Sequence, residues 1–342
     1  MPMNPSLTTD YRSPIRRSLT AFGLAFALLG LTPSPARALP PPSDDRPVVL
    51  NFDWDDNLVY MPTQITLYRK AGIPNGLPET RGVSTDDFAL IRDKIGKSGE
   101  WENYELRKTA TENSFLRFGP AGDGPGGRNY FLEDLKETIL SGKSGWKGPA
   151  WDAMIFALSN EETAKNFGVI TARSHLPEEM LEAFEWLRSI GYIRHLPALE
   201  NLHAVGGAAD PSGEKAKIMI EELAELEAIP PGKKWKSVEG PDPMRRGQYH
   251  VWTFSDDDWG NFTKARDAIG EEMQKGKFGN TKVMLFFTGV NHPTEKPHGI
   301  VLLPSGEPRP LTAAEEAEVA TARRLGRIDC GRLLRAPRAS AI

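Results

Sequence analysis

The 342 residues of the chain predict an α/β fold on a doubly wound parallel sheet, and three features carry that expectation. Over its second half, short apolar strands alternate with helices of about 10–15 residues, the pattern of βαβ units. Residues 48–58, VVLNFDWDDNL, form an apolar run that ends in three aspartates within four positions. A second such junction, VWTFSDDDWGN, runs a strand into Asp256, Asp257 and Asp258. Open α/β sheets place their sites at the carboxyl ends of parallel strands.

Residues 1–38 read as a secretory signal. Arg16 and Arg17 precede the apolar stretch 19–31, and Ala36-Arg37-Ala38 supplies the small residues of a cleavage site. That stretch is too short to span a bilayer comfortably. Export to a periplasm or the exterior is therefore expected, with no stable membrane anchor after cleavage. Residues 39–46 are a proline-rich linker, and the strand at 48–53 opens the core. Residues 61–165 lack a dominant period and predict an inserted α+β domain: a hairpin strand in TQITLYRK (63–70), a capped helix in STDDFALIRDKI (84–95), a loop at 119–127 and a helix in NYFLEDLKETIL (129–140). The core, 47–60 and 166–304, resumes with strands at 168–171, 199–205, 249–254 and 282–287 and helices at 177–190, 214–227 and 261–274. Residues 305–342 predict a surface helix after Leu311, then disorder, with six arginines between 323 and 338.

Composition narrows the function classes. With 39% hydrophobic and 26% charged residues the chain suits an ordinary globular protein, and a net charge of −4 offers nucleic acid no general attraction. Cys330 is the only cysteine, so an intrachain disulfide is excluded.

Four fragments lie at predicted strand ends or a helix start, where one rim of the sheet can gather them: DWDDN (53–57), VITARSH (169–175), SGEKAK (212–217) and SDDDWGN (255–261). A carboxylate at Asp53 can attack phosphorus, dividing one displacement into two. Asp55 is placed to protonate a leaving group and then activate water. Hard oxygen ligands without nearby cysteine or histidine pairs favour Mg²⁺. A lysine and a threonine supply the donors that a transferring phosphoryl group needs.

This set resembles the haloacid dehalogenase superfamily, mostly phosphohydrolases with a Rossmann-like core. The resemblance covers roughly 47–59 and 167–290. It implies Asp53 as nucleophile, Asp55 as acid/base, Thr171 as the second-motif hydroxyl and Lys215 as the third-motif lysine, with Lys217 as a rival. It further implies a substrate-binding turn at Thr171, Ala172 and Arg173 together with Lys215. Mg²⁺ would be held by Asp53, the backbone carbonyl of Asp55, and Asp256 or Asp257, with Asn261 in the trailing polar position. The long interval between the first two motifs resembles an inserted cap. Asp56-Asn57 stands where Gly-Thr is common, without removing a catalytic group. The expected activity is Mg²⁺-dependent hydrolysis of a small phosphomonoester. Transfer to another acceptor, or a degenerate phosphoryl-binding module, is the alternative.

Other motif readings fail on spacing. An EF-hand loop from Asp53 would need Gly and Glu where Leu58 and Gln64 stand. Each GKS lacks the glycine five residues upstream, having Ile91 or Glu137. His175 is expected to cap a surface helix. His203 and His250 are expected to be structural, and Trp101, Trp146 and Trp151 to pack an insertion core.

Overall fold

The computed structural model describes residues 48–73, 76–109, 111–123, 126–142, 144–228 and 250–333. The expected signal, the linker and the end of the C-terminal tail lie outside the described residues. In chain order the strands are β1 (Val48–Phe52), β2 (Ile65–Arg69), β3 (Thr80–Val83), β4 (Tyr104–Glu105), β5 (Phe167–Thr171), β6 (Leu202–Ala204), β7 (His250–Asp256), β8 (Thr281–Phe287), β9 (His298–Leu302) and β10 (Pro308–Pro310). The helices are α1 (Thr85–Ile91), α2 (Tyr130–Leu140), α3 (Trp151–Ala157), α4 (Glu161–Lys165), α5 (Pro177–Ser189), α6 (Pro211–Glu227), α7 (Trp259–Gln274) and α8 (Ala313–Leu333). Among the described residues no helix is long and apolar enough to cross a membrane.

Seven strands form the central sheet in the order β10-β9-β8-β7-β1-β5-β6. From β8 to β6 all neighbours run parallel. The chain winds from β1 through β5 to β6, then returns to β7 on the other side of β1, so the switch point lies between β1 and β7. Such a crevice collects side chains from both halves of the sheet. The wholly parallel expectation is corrected at one edge, where β9 and β10 run antiparallel. Gly306, at φ +83°, lies in the short connection between them. The expected strand at 199–205 is shorter, because Leu199–Asn201 makes a 3₁₀ turn before β6.

Helices cover both faces. On one, Met219, Leu223 and Leu226 of α6 and Phe262, Ala265 and Ile269 of α7 pack with Val251, Trp252 and Phe254. On the other, Phe131 and Leu135 of α2, Trp151 and Met154 of α3, and Met180 and Phe184 of α5 pack with Phe52, Phe167 and Val169.

The expected insertion at 61–165 divides by its packing. Its first part builds a small antiparallel sheet, β3-β2-β4, with its own cluster of Ile65, Leu67, Val83, Ile91, Tyr104 and Phe118. Its second part, α2 and α3, instead covers the central sheet. Trp151 therefore belongs to the main core, not to a separate one. The physical reason is a buried stripe, Phe131, Leu135 and Trp151, that needs the apolar face of β1 and β5. The C-terminal helix is likewise more than a surface element. Gly326 sits so close to the Asp152 carbonyl that a Cβ would collide with it, and fully buried Glu315 pairs with fully buried Lys282 of β8.

Candidate metal centre

The end of β1 is stitched to its neighbours through backbone and buried side chains. Asp53 donates its backbone N–H to the Ser255 carbonyl at 2.8 Å. Asn57 is fully buried; its Nδ2 donates to the Ser255 carbonyl at 2.9 Å, and its Oδ1 accepts from Thr288 Oγ1 at 2.8 Å. Asn57 thus clamps the ends of β1, β7 and β8 together. Asp56 supports the turn from a left-handed conformation, φ 56°, which aspartate tolerates better than most residues.

Lys215 arrives on α6. That helix begins at Asp210, whose side chain accepts from the Gly213 N–H at 3.0 Å, with Pro211 in its first turn. Lys215, Met219, Leu223 and Leu226 recur at helical spacing and are all buried, so the lysine heads the stripe that faces the sheet. Further along, Glu222 accepts from Asn51 at 2.6 Å and from Trp252 Nε1 at 3.0 Å, fixing the helix against β1 and β7. Lys215 Nζ donates to Asp53 Oδ1 and to Asp256 Oδ2, both at 2.8 Å. Lys217 is exposed and pairs with Glu214, so of the two lysines Lys215 is the one that reaches Asp53 and Asp256.

At the end of β7 the adjacent aspartates take different surroundings. Asp256 is fully buried; its other oxygen accepts from the Asp258 N–H at 2.9 Å and from Asn261 Nδ2 at 3.4 Å. Asp257 is only partly buried. Asp258 caps α7, accepting from the N–H groups of Gly260 and Asn261.

Asp53, Asp256 and Asp257 each offer an oxygen within 4.8 Å of the others. Burial pushes Asp53 and Asp257 well above the ordinary carboxylate range, and the surrounding acids add to it. Asp256 is raised by burial too, with Lys215 opposing. Burial works against the charge of Lys215, yet Asp256 and Asp53 hold its pKa above the usual lysine value. Asp56 is pushed up to about 7, by burial and then by Asp55. Three carboxylates facing one ammonium leave negative charge uncompensated in a buried place, and a divalent cation with oxygen ligands fits that deficit.

Asp55 is not among the three. Its side chain turns to Arg173, which donates from Nε to Oδ2 at 2.8 Å and from Nη2 to Oδ1 at 2.6 Å. Arg173 is fully buried and also donates to Thr63 Oγ1 at 2.9 Å. Its expected place in the substrate-binding turn is therefore corrected: the guanidinium is spent inward on Asp55 and α2's neighbourhood, not offered to solvent. Thr171 and Ala172 do stand at the rim, Thr171 buried at the end of β5 and Ala172 exposed. Their turn is tied to β6 by Val205 N–H to the Thr171 carbonyl at 2.9 Å and Gly206 N–H to the Arg173 carbonyl at 2.7 Å. No side chain larger than hydrogen fits at Gly206, whose Cβ would meet the Ala172 carbonyl.

His175 is buried, against the expected surface cap, with its ring edge-on to Phe131. Sequence reading also missed Asn57 as a clamp and Arg173 as a partner of Asp55. The second left no local signal beyond an arginine two residues after Thr171.

Comparison with known proteins finds no family model, no curated protein and no solved structure that matches the chain.

Proposed function

We propose that the chain is a Mg²⁺-dependent phosphohydrolase of the haloacid dehalogenase type, cleaving a small phosphomonoester through an aspartyl-phosphate on Asp53. The observation that carries this reading is the double contact of Lys215 with Asp53 and Asp256 beside Asp257. These are the groups that phosphoryl transfer needs, drawn from three distant segments.

In this reading the Asp53 oxygen not held by Lys215 attacks phosphorus as the bond to the leaving oxygen breaks. Asp55 protonates that oxygen, then takes a proton from the water that cleaves the aspartyl-phosphate and releases phosphate. Either transfer requires one Asp55 oxygen to turn away from the guanidinium of Arg173. Lys215 Nζ, the Thr171 hydroxyl and the backbone N–H of Ala172 are the donors for the phosphoryl oxygens in this reading. Asp53, Asp256 and Asp257 would hold Mg²⁺, which offsets charge on the transferring group when bound.

The small sheet of β2, β3 and β4 with α1 serves in this proposal as a cap. Two contacts support it: Arg92 of the α1 end donates to Asp258 at 2.8 Å, and Asn291 donates to Asp86 at 2.5 Å. Both fasten the insertion to the site's rim. The signal-like residues 1–38 support an exported protein. Hydrolysis of p-nitrophenyl phosphate tests the activity. It should require Mg²⁺, stop with EDTA and stop in Asp53→Asn. Turnover that survives both treatments refutes the mechanism, and phosphate binding without turnover favours a binding module.

A further inference from the structure

A cavity of about 570 Å³ opens between α8 and the end of β8, and none of the three clustered aspartates lines it. One wall is cationic, with Arg323, Arg324 and Arg327 projecting from little more than one turn of α8. Across from them, Phe286, Phe287 and Val290 make an apolar surface. The arginines are not fully used within the protein. Arg327 donates to Asp152 at 3.0 Å, Arg324 is exposed, and Arg323 carries a buried Nε with no hydrogen-bond partner among the described residues. A buried donor without an acceptor is costly, and here it borders an open cavity. Among the described residues Glu316 is the one carboxylate on the lining, so even with Asp152 counted the arginines there are in excess.

We propose that this cavity binds an organic anion, its carboxylate or phosphate-type head on Arg323 and Arg324 and its apolar body along Phe286 and Phe287. The planar guanidinium suits both head groups, since its paired N–H donors match two oxygens at once. The apolar wall selects against a bare inorganic ion, which would leave that surface uncovered. None of the clustered aspartates lines this site, and without a bound cation their carboxylates repel an anion, so in EDTA the cavity is the place an organic anion would take.

Calorimetric titration of the full chain in EDTA with 3-phenylpropionate and with phenylphosphonate tests the proposal. One molecule of each should bind per chain, and inorganic phosphate should bind at least about tenfold more weakly than phenylphosphonate. The double variant Arg323→Gln/Arg324→Gln should weaken both probes by about tenfold or more. Arg324→Gln alone, at an exposed position, should weaken them measurably and serves if the double variant does not fold. Asp53→Asn should leave both affinities within about twofold. Three results would each overturn the proposal: no heat with either probe up to about 10 mM, unchanged binding in the arginine variants, or loss of binding in Asp53→Asn.

Discussion

Arg173 grips both carboxylate oxygens of Asp55, at 2.8 and 2.6 Å, across 118 residues of sequence. The pair is anchored in turn: Thr63 accepts from Arg173 and donates to Asp134, which also pairs with Arg117. A bidentate pair of this kind fixes orientation as well as charge.

Arg173→Lys keeps the charge but loses the fork. Arg173 acts through Asp55 and touches no substrate in the proposed reaction. Its loss should therefore lower kcat about tenfold to a hundredfold while KM stays within about twofold. Steady-state kinetics on an aryl phosphate decide it. A raised KM with unchanged kcat would place Arg173 on the substrate instead.

Acid sensitivity should trace in part to His175. Its ring is buried, neither nitrogen has a hydrogen-bond partner among the described residues, and burial, followed by Arg173, lowers its pKa to about 3. Unfolded, the imidazole titrates near 6.5, so between those values the unfolded chain binds the extra proton. Stability from this residue is present above about pH 6.5 and is lost as pH falls towards 3, at about 1.4 kcal/mol per pH unit. His175→Phe, beside Phe131, should flatten that part of a thermal-unfolding profile and leave stability at pH 7 equal or higher. A profile as steep as that of the parent would exclude the assignment.

The docking of α8 gives a prediction independent of function. Gly326 leaves no room for a Cβ against the Asp152 carbonyl, and backbone cannot retreat as a flexible side chain could. Gly326→Ala should cost about 1–3 kcal/mol despite alanine's better helix propensity. Urea denaturation measures it, and a stabilised variant would show that α8 does not rest on α3 at this point.

The parts of the fold legible in sequence were those with one dominant signal. The apolar runs ending in Asp53 and Asp256 marked β1 and β7, and the alternation after residue 166 marked the parallel sheet. Lys215 and Lys217 were both candidates at the start of one helix, and only the packing of α6, which buries Lys215 and leaves Lys217 exposed, separates them. Asp256 and Asp257 could not be told apart by pattern, since adjacent carboxylates differ only in which neighbours fold around them. The Asp55–Arg173 pair left almost no local trace, because its two halves come from different strand ends. Trp151 misled for a related reason: an aromatic residue fits a small core or a large one, and only the apolar face of β1 and β5 decides which.

Asp257 offers the sharpest test of the metal centre. It lies with Asp53 and Asp256, yet among the described residues it has no ion-pair partner, whereas the other two share Lys215. Millimolar Mg²⁺ should raise the Tm of the wild-type chain above its value in EDTA, by about 2.7 kcal/mol of stabilisation once the ion reaches a hundred times its Kd. Asp257→Asn should remove most of that rise. In EDTA the same variant should be as stable as wild type or more so, because it deletes a partly buried carboxylate that crowds Asp53 and Asp256. Lys215→Met should do the reverse, losing about 3–5 kcal/mol in EDTA as Asp53 and Asp256 are left unpaired. Differential scanning calorimetry of the three proteins with and without Mg²⁺ separates these outcomes. A Tm of Asp257→Asn that responds to Mg²⁺ as fully as wild type would remove Asp257 from the metal site.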